Sequence, residues 1–177
     1  MRDNQRSEFY GRVVTVRNET VELADGSTLE FDVVEHPGGA AIVALDRDNR
    51  VCLLDQHRHV MGRRLCEIPA GRLEPDEEPL VTARRELTEE AGLEAARWHS
   101  LGAIVSSPGV FTEVVHLFLA QELTATNARA EPGEIFELRW LPLATAAQHA
   151  LCGTIEDAKS VIGLLRAASQ LGIVPDA

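Results

Sequence analysis

Short runs of alternating apolar and polar residues fill the first third of the chain, and helical spacing takes over in the middle and at the end. Val13–Val16, Thr20–Leu23 and Thr28–Val34 read as three strands, divided by turns at Arg17-Asn18-Glu19 and Asp25-Gly26-Ser27. An antiparallel sheet this small cannot bury both faces alone, so it must pack on the main domain or on a partner chain. His36-Pro37-Gly38-Gly39 breaks the pattern and separates a small β-sheet subdomain, residues 1–36, from a main domain, residues 37–177. Ala40–Leu45 and Val51–Gln56 flank Arg47-Asp48-Asn49-Arg50 as a hairpin of apolar strands, and Leu101–Val105, Val114–Leu119 and Ile135–Leu141 form further strands. The spacing predicts a helix that opens at Glu78-Pro79, with proline at its first position, and stops at Gly92, which accepts a left-handed conformation. Leu80, Ala83, Leu87 and Ala91 give that helix an apolar stripe for docking on a sheet.

Two more helices close the chain. One covers Ala144–Leu151. The other starts at Thr154, where Thr154-x-x-Asp157 has the form of a capping box, and lines up Ala158, Val161, Ile162, Leu165 and Ala168. Strands and helices intermix without a regular βαβ period. The expected fold is therefore an α/β sandwich with a mixed sheet rather than a doubly wound fold.

The helix at 79–91 also carries the chemistry. Glu86, Glu89 and Glu90 stand at i, i+3 and i+4, so three carboxylates share one face. They repel one another unless a cation sits among them. Hard oxygen ligands on a partly hydrated face suit Mg²⁺, with Mn²⁺ able to substitute, and such ions favour a few carboxylates plus substrate phosphates. Arg85 is expected to point away from this face and to pair with Glu77, tying the preceding loop to the helix. Gly71 is expected to let the backbone turn sharply before that loop.

The remaining composition narrows the partners. At 177 residues, with 45% hydrophobic and 25% charged residues, the chain is long enough for one domain with a sizeable core. A net charge of −11 argues against nucleic acid or an anionic membrane as partner, because phosphate backbones demand a basic surface. No stretch approaches the roughly 18 apolar residues of a membrane span, and the first twelve residues lack the apolar core of a secretory signal. Cys52, Cys66 and Cys152 have no CxxC spacing and read as buried free thiols, which fits a reducing, cytoplasmic setting. His57-x-His59 would share one face of a strand, yet zinc wants three or four ligands and no cysteine or further histidine lies at a zinc-site spacing. His116 reads as a core residue.

The segment from Gly71 to Leu93 resembles the Nudix box, G-x5-E-x7-R-E-U-x-E-E-x-G-U with U a bulky aliphatic. Gly71, Glu77, Arg85, Glu86, Leu87, Glu89, Glu90, Gly92 and Leu93 meet every fixed position. Seven specified Gly, Glu and Arg positions match by chance in roughly one chain of this size in a million. A solvated acidic helix is therefore the weaker reading. Flanking residues are similar to the ADP-ribose pyrophosphatase branch of the Nudix superfamily: Glu67-Ile68-Pro69-Ala70-Gly71 before the box, Ser107-Pro108-Gly109 after it, Gln56-His57-Arg58, Glu113-x-x-His116-x-Phe118-Leu119-Ala120, and Gly153-x-Ile155-x-Asp157-Ala158-Lys159. The chain departs from that branch at His57 and Val110, where an aromatic is usual, and at Cys66, where Trp is common.

The resemblance implies a Nudix-type α/β/α sandwich, a homodimer, and metal-dependent hydrolysis of ADP-ribose to AMP and ribose 5-phosphate. By that resemblance Glu86, Glu90 and the Ala70 carbonyl hold Mg²⁺, and Glu89 binds a second ion directly or through water. Glu134 is the expected base, with Glu131 the alternative, and Arg85 belongs with the catalytic set. Arg58, Glu67 and Pro108 are the expected substrate contacts. For Arg58 an ordinary salt bridge competes evenly, and Glu67 has the alternative of bracing its loop. Phe9 and Tyr10 read as packing residues ahead of a stacking role. Other nucleotide sugars, NADH, or a non-catalytic ADP-ribose sensor are the competing functions.

Overall fold

The computed structural model describes residues 8–126 and 136–176. Strands β1 (Glu8–Tyr10), β2 (Thr15–Glu22) and β3 (Thr28–Glu35) form one antiparallel sheet in that order. Strands β4 (Gly39–Ala44), β5 (Arg50–Arg58), β6 (Arg63–Glu67), β7 (Ala70–Arg72), β8 (Leu93–Val105), β9 (Val114–Ala125) and β10 (Phe136–Pro142) make two more. Their orders are β7-β4-β9-β8 and β10-β5-β6. Only β4 and β9 run parallel, so the four-stranded sheet is mixed, as its irregular strand–helix order predicts.

The helices α1 (Pro79–Ala91), α2 (Leu143–Leu151) and α3 (Ala158–Leu171) cover this framework from two sides. Strand β4 shows why: all six of its residues, Gly-Ala-Ala-Ile-Val-Ala, are buried. A strand buried on both faces needs apolar layers above and below. Ala40, Ile42 and Ala44 face Ala83, Leu87 and Ala91 of α1. Ala41 and Val43 face the opposite core with Leu164 and Ala167 of α3 and Ala146 and Ala147 of α2. The period-two alternation of one strand thus serves two cores and gives the α/β/α sandwich.

Several sequence expectations change. Val13–Val16 and Thr20–Leu23 are not two strands: Arg17, Asn18 and Glu19 continue a single β2, and the third strand of the sheet is β1. The polar run stays extended because it finds partners along the sheet, Arg17 with Glu19 and Glu35 and Asn18 with Asp32. The hairpin of Ala40–Leu45 and Val51–Gln56 closes only at the Leu45–Val51 bridge, after which β4 and β5 enter different sheets. Strand β8 starts at Leu93 rather than Leu101. It is an edge strand, so Glu94, Arg97 and Ser100 stay in solvent and mask its periodicity.

Helix α3 begins at Ala158, four residues after Thr154. Its N-cap is Asp157, which accepts the Ser160 N–H at 3.0 Å. Its fully buried face is Ser160, Gly163, Leu164, Ala167 and Ala168, so the expected stripe is rotated and Ala158 is exposed. The thiols also differ: Cys52 is buried and Cys66 partly so, but Cys152 is exposed. Burial, with the Glu90 charge adding, pushes the Cys52 thiol up to about 12 and keeps it protonated and inert. Among the described residues no helix is long and apolar enough to cross a membrane.

Candidate active site

Helix α1 presents its acidic face to a cleft of about 850 Å³ whose walls include Ala70, Gly71, Glu77, Arg85, Glu86, Glu89 and Glu90. The helix has the expected ends: Pro79 sits in its first turn, and Gly92 closes it at φ 62°. Leu87 and Ala91 anchor the helix on the sheet, which turns Glu86, Glu89 and Glu90 toward strand β7. Glu90 is 3% exposed and accepts the Ala70 N–H at 2.9 Å, across twenty residues of chain.

Gly71 lies where α1 comes closest to β7. Its φ is not in the left-handed region, so the expected sharp turn is not its role. A Cβ on Gly71 would stand 1.8 Å from Glu86 Oε1 and 1.9 Å from Cδ. The missing side chain makes the space that the Glu86 carboxylate fills.

Arg85 does not point away from the acidic face. Its guanidinium spans both groups of acids, donating to Glu77 at 3.1 Å through Nε and Nη2, and through Nη1 to Glu86 at 2.6 Å and Glu89 at 3.0 Å. Nη2 also donates to the Arg72 carbonyl at 3.0 Å. One rigid fork therefore ties the loop, β7 and the helix face together. Its hydrogen bonds to Glu77 lead the causes that hold the guanidinium well above its usual range.

Glu77 receives the Arg85 bonds, the Glu74 N–H at 3.0 Å and the Thr82 hydroxyl at 2.7 Å. The Arg85 hydrogen bond is the largest influence, burial opposes it, and the net effect lowers Glu77 from 4.5 to about 2. A folded-state value below the unfolded one adds stability that is complete above pH 4.5 and lost as pH falls toward 2. Glu77→Gln is accordingly expected to lower stability at neutral pH by about 1 kcal/mol, or about 2–4 °C in Tm. In melts across a pH series the difference from the parent should shrink between pH 4.5 and 2; a pH-independent difference would remove this ion pair as its source.

Arg58 lines the cleft and is also a bridge. Its Nε and Nη2 donate to the two oxygens of Glu67, each at 2.7 Å. Glu67 is 1% exposed and takes a third hydrogen bond from Lys159 of α3, which also pairs with Asp157 at 2.9 Å. Burial raises the Glu67 carboxyl, but the Arg58 hydrogen bond and the Lys159 charge outweigh it and leave the group below the usual range. Glu67 thus stands behind Arg58 as a brace. The salt-bridge reading of Arg58 is realised, and the residue also lines the cleft.

Pro108 lies on an exposed turn that is tied to β3 through Val34 and Val110, and it is absent from the cleft wall. Glu134 and Glu131 lie outside the described residues. His59 leaves the strand for a short 3-10 turn, so His57 and His59 do not share a strand face. His116 is half-buried on β9.

Arg12, Val13 and Arg72 line the cleft with no site role expected of them, as does Gln56, which the sequence marked only within the Gln56-His57-Arg58 run. Lys159 had a sequence signal, its place in the Asp-Ala-Lys run, but a burying partner 92 residues away has none.

These donors fit a hard divalent cation. Three carboxylates and the Ala70 backbone border one cleft, and Gly71 leaves room for Glu86 beside them. Among the described residues no three His, Cys, Asp or Glu side chains form a preformed cation shell. Arg85 holds Glu86 and Glu89 instead, and the Ala70 N–H holds Glu90.

A model of the NUDIX domain matches residues 35–161. The chain is 37% identical over 158 residues to the methanol dehydrogenase activator of Bacillus methanolicus, covering 88% of this chain and 85% of that one. It is 35% identical over 158 residues to the ADP-ribose pyrophosphatase of Bacillus subtilis, with the same 88% and 85% covered. A crystal structure of an ADP compounds hydrolase matches at a TM-score of 0.80 over 97% of this chain and 98% of that one; at 19% identity this likeness shows the fold. With the complete box folded as a helix against β7 and most of the chain covered by the domain match, the chain belongs to the NUDIX family.

Proposed function

We propose that this chain is a Nudix pyrophosphohydrolase that cleaves the pyrophosphate of ADP-ribose to AMP and ribose 5-phosphate, and that of related ADP-sugars to AMP and the corresponding sugar phosphate. The observation that carries the reading is the apposition of Glu86 and Glu90 of α1 to Ala70 and Gly71 of β7 in one cleft. The name of the Bacillus subtilis relative supports ADP-ribose as substrate. Mg²⁺ is the proposed ion, with Mn²⁺ as substitute. When bound, the ion neutralises the phosphates and acidifies water. Glu86, Glu90 and the Ala70 carbonyl hold it, and Glu89 serves a second ion. Arg85 keeps these carboxylates and the Glu77 loop in register. Arg58, braced by Glu67 and Lys159, offers its free edge to a phosphate or ribose oxygen.

Glu134 takes the proton of the attacking water in this proposal. Glu134→Gln should lower kcat by about 10²–10⁴-fold while the Mg²⁺ dependence persists; if Glu131→Gln is the damaging change, the base is Glu131.

A homodimer in the cytoplasm completes the reading. Strand register puts Tyr10, Val21, Leu29 and Phe31 on one face of the N-terminal sheet, and all four are exposed in the single chain. These exposed apolar side chains, on a face that also carries the Arg17–Glu19 and Arg17–Glu35 ion pairs, support a second copy as the cover of the sheet.

The decisive experiment supplies purified protein and Mg²⁺ with ADP-ribose, ADP-glucose, GDP-mannose, NADH and 8-oxo-dGTP, and separates the products by chromatography. AMP from ADP-ribose at kcat/KM of about 10⁴ M⁻¹s⁻¹ or more is the expected result. Preference for another substrate would move the specificity and keep the chemistry. Tight ADP-ribose binding without turnover would make the chain a sensor.

A further inference from the structure

Gln56 is the one described residue whose side chain has a fully buried oxygen or nitrogen without a hydrogen-bond partner. The atom is Oε1, and the residue is 92% buried (8% exposed). A buried carbonyl stripped of water and given no donor is destabilising, and native folds keep few of them. Leucine or methionine would fill the place without that cost. No described residue supplies the Gln56 carbonyl with a donor, which leaves it available to a group bound in the cleft.

Its location says what. Gln56 borders the same cleft as Ala70, Glu86 and Glu90. Side chains alternate along β5, so Cys52, Leu54, Gln56 and Arg58 share one face of that strand. The Glu90 carboxylate, held by the Ala70 N–H, lines that same cleft. Two acceptors in one cleft, a carbonyl and a carboxylate, are both satisfied by a group that carries positive charge and protons. A hydrated divalent cation fits: it binds the carboxylate and turns water protons outward, and Mg²⁺ keeps several of its waters.

We infer that the Gln56 side-chain carbonyl accepts a hydrogen bond from the hydrated cation and so positions it on the cleft floor against Glu90. Gln56 is a positioning residue, acting through the cation. The inference rests on the metal-dependent reading of the site and goes beyond the box, since β5 lies outside that motif.

The test measures Mn²⁺ binding to the whole chain without nucleotide, by loss of the free-ion electron paramagnetic resonance signal, together with melting of the metal-free protein. Gln56→Met keeps the length and removes the carbonyl. It should melt at or above the parent temperature when metal-free, yet bind Mn²⁺ about tenfold more weakly, the lower end of what outer-shell partners contribute. Gln56→Glu, which keeps an acceptor and adds charge, should bind Mn²⁺ at least as tightly as the parent. Parental affinity in Gln56→Met overturns the inference, and a raised KM for ADP-ribose in that case would assign Gln56 to the nucleotide. Weakened Mn²⁺ binding in Gln56→Glu overturns it independently, should Gln56→Met not fold. Failure of the parent itself to bind Mn²⁺ would overturn the metal-dependent reading and this inference together.

Discussion

Replacing Glu86 or Glu90 with glutamine is expected to lower kcat by about 10³-fold or more, because the charge that holds the cation goes with the carboxylate. The fold should survive both changes. Arg85 pairs with Glu86 and Glu89 and the Ala70 N–H holds Glu90, so removal of one negative charge from this face relieves repulsion among the three acids. Glutamine at position 90 keeps an oxygen for the Ala70 N–H, the bond that ties α1 to β7. Tm should stay within a few degrees of the parent while activity at saturating Mg²⁺ collapses. Steady-state kinetics beside thermal melts separate the two effects, and ordinary activity in either variant would refute the metal assignment.

Gly71→Ala carries the second large effect. The new methyl would stand 1.8 Å from Glu86 Oε1, far inside van der Waals contact. The obstructed group is the end of a flexible side chain, so the helix and strand can remain in place while the carboxylate swings away. Activity and Mn²⁺ affinity should therefore both fall, kcat by about 10²-fold or more, with a modest change in Tm. This pattern sets the variant apart from one that unfolds the domain. If Gly71→Ala kept full activity, the position that Glu86 occupies beside β7 would be irrelevant to the chemistry.

Helix α1 was legible residue by residue. Its proline start, glycine stop, apolar stripe and the i, i+3, i+4 acids are all relations within thirteen residues of one helix, governed by backbone geometry and capping. The mixed α/β character was legible too, because β4 is apolar on both faces and α1 and α3 on one. Strand partners were less legible. Arg17-Asn18-Glu19 reads as a turn until its cross-strand partners are known, and the polar half of β8 stays hidden because an edge strand can leave those residues in water.

The sequence by itself determined which acids share a face, where their helix starts and stops, and that strands and helices mix in one α/β fold. Only the tertiary structure decided what each side chain meets. It turned Arg85 onto the acids it was expected to avoid, and gave Gly71 a reason in the Glu86 carboxylate rather than in its own backbone. It also sank Glu67 beneath Arg58 and a lysine 92 residues away. The physical reason is range. Periodicity and capping act over one or two turns, whereas contact and desolvation depend on groups brought together only when the whole chain has packed.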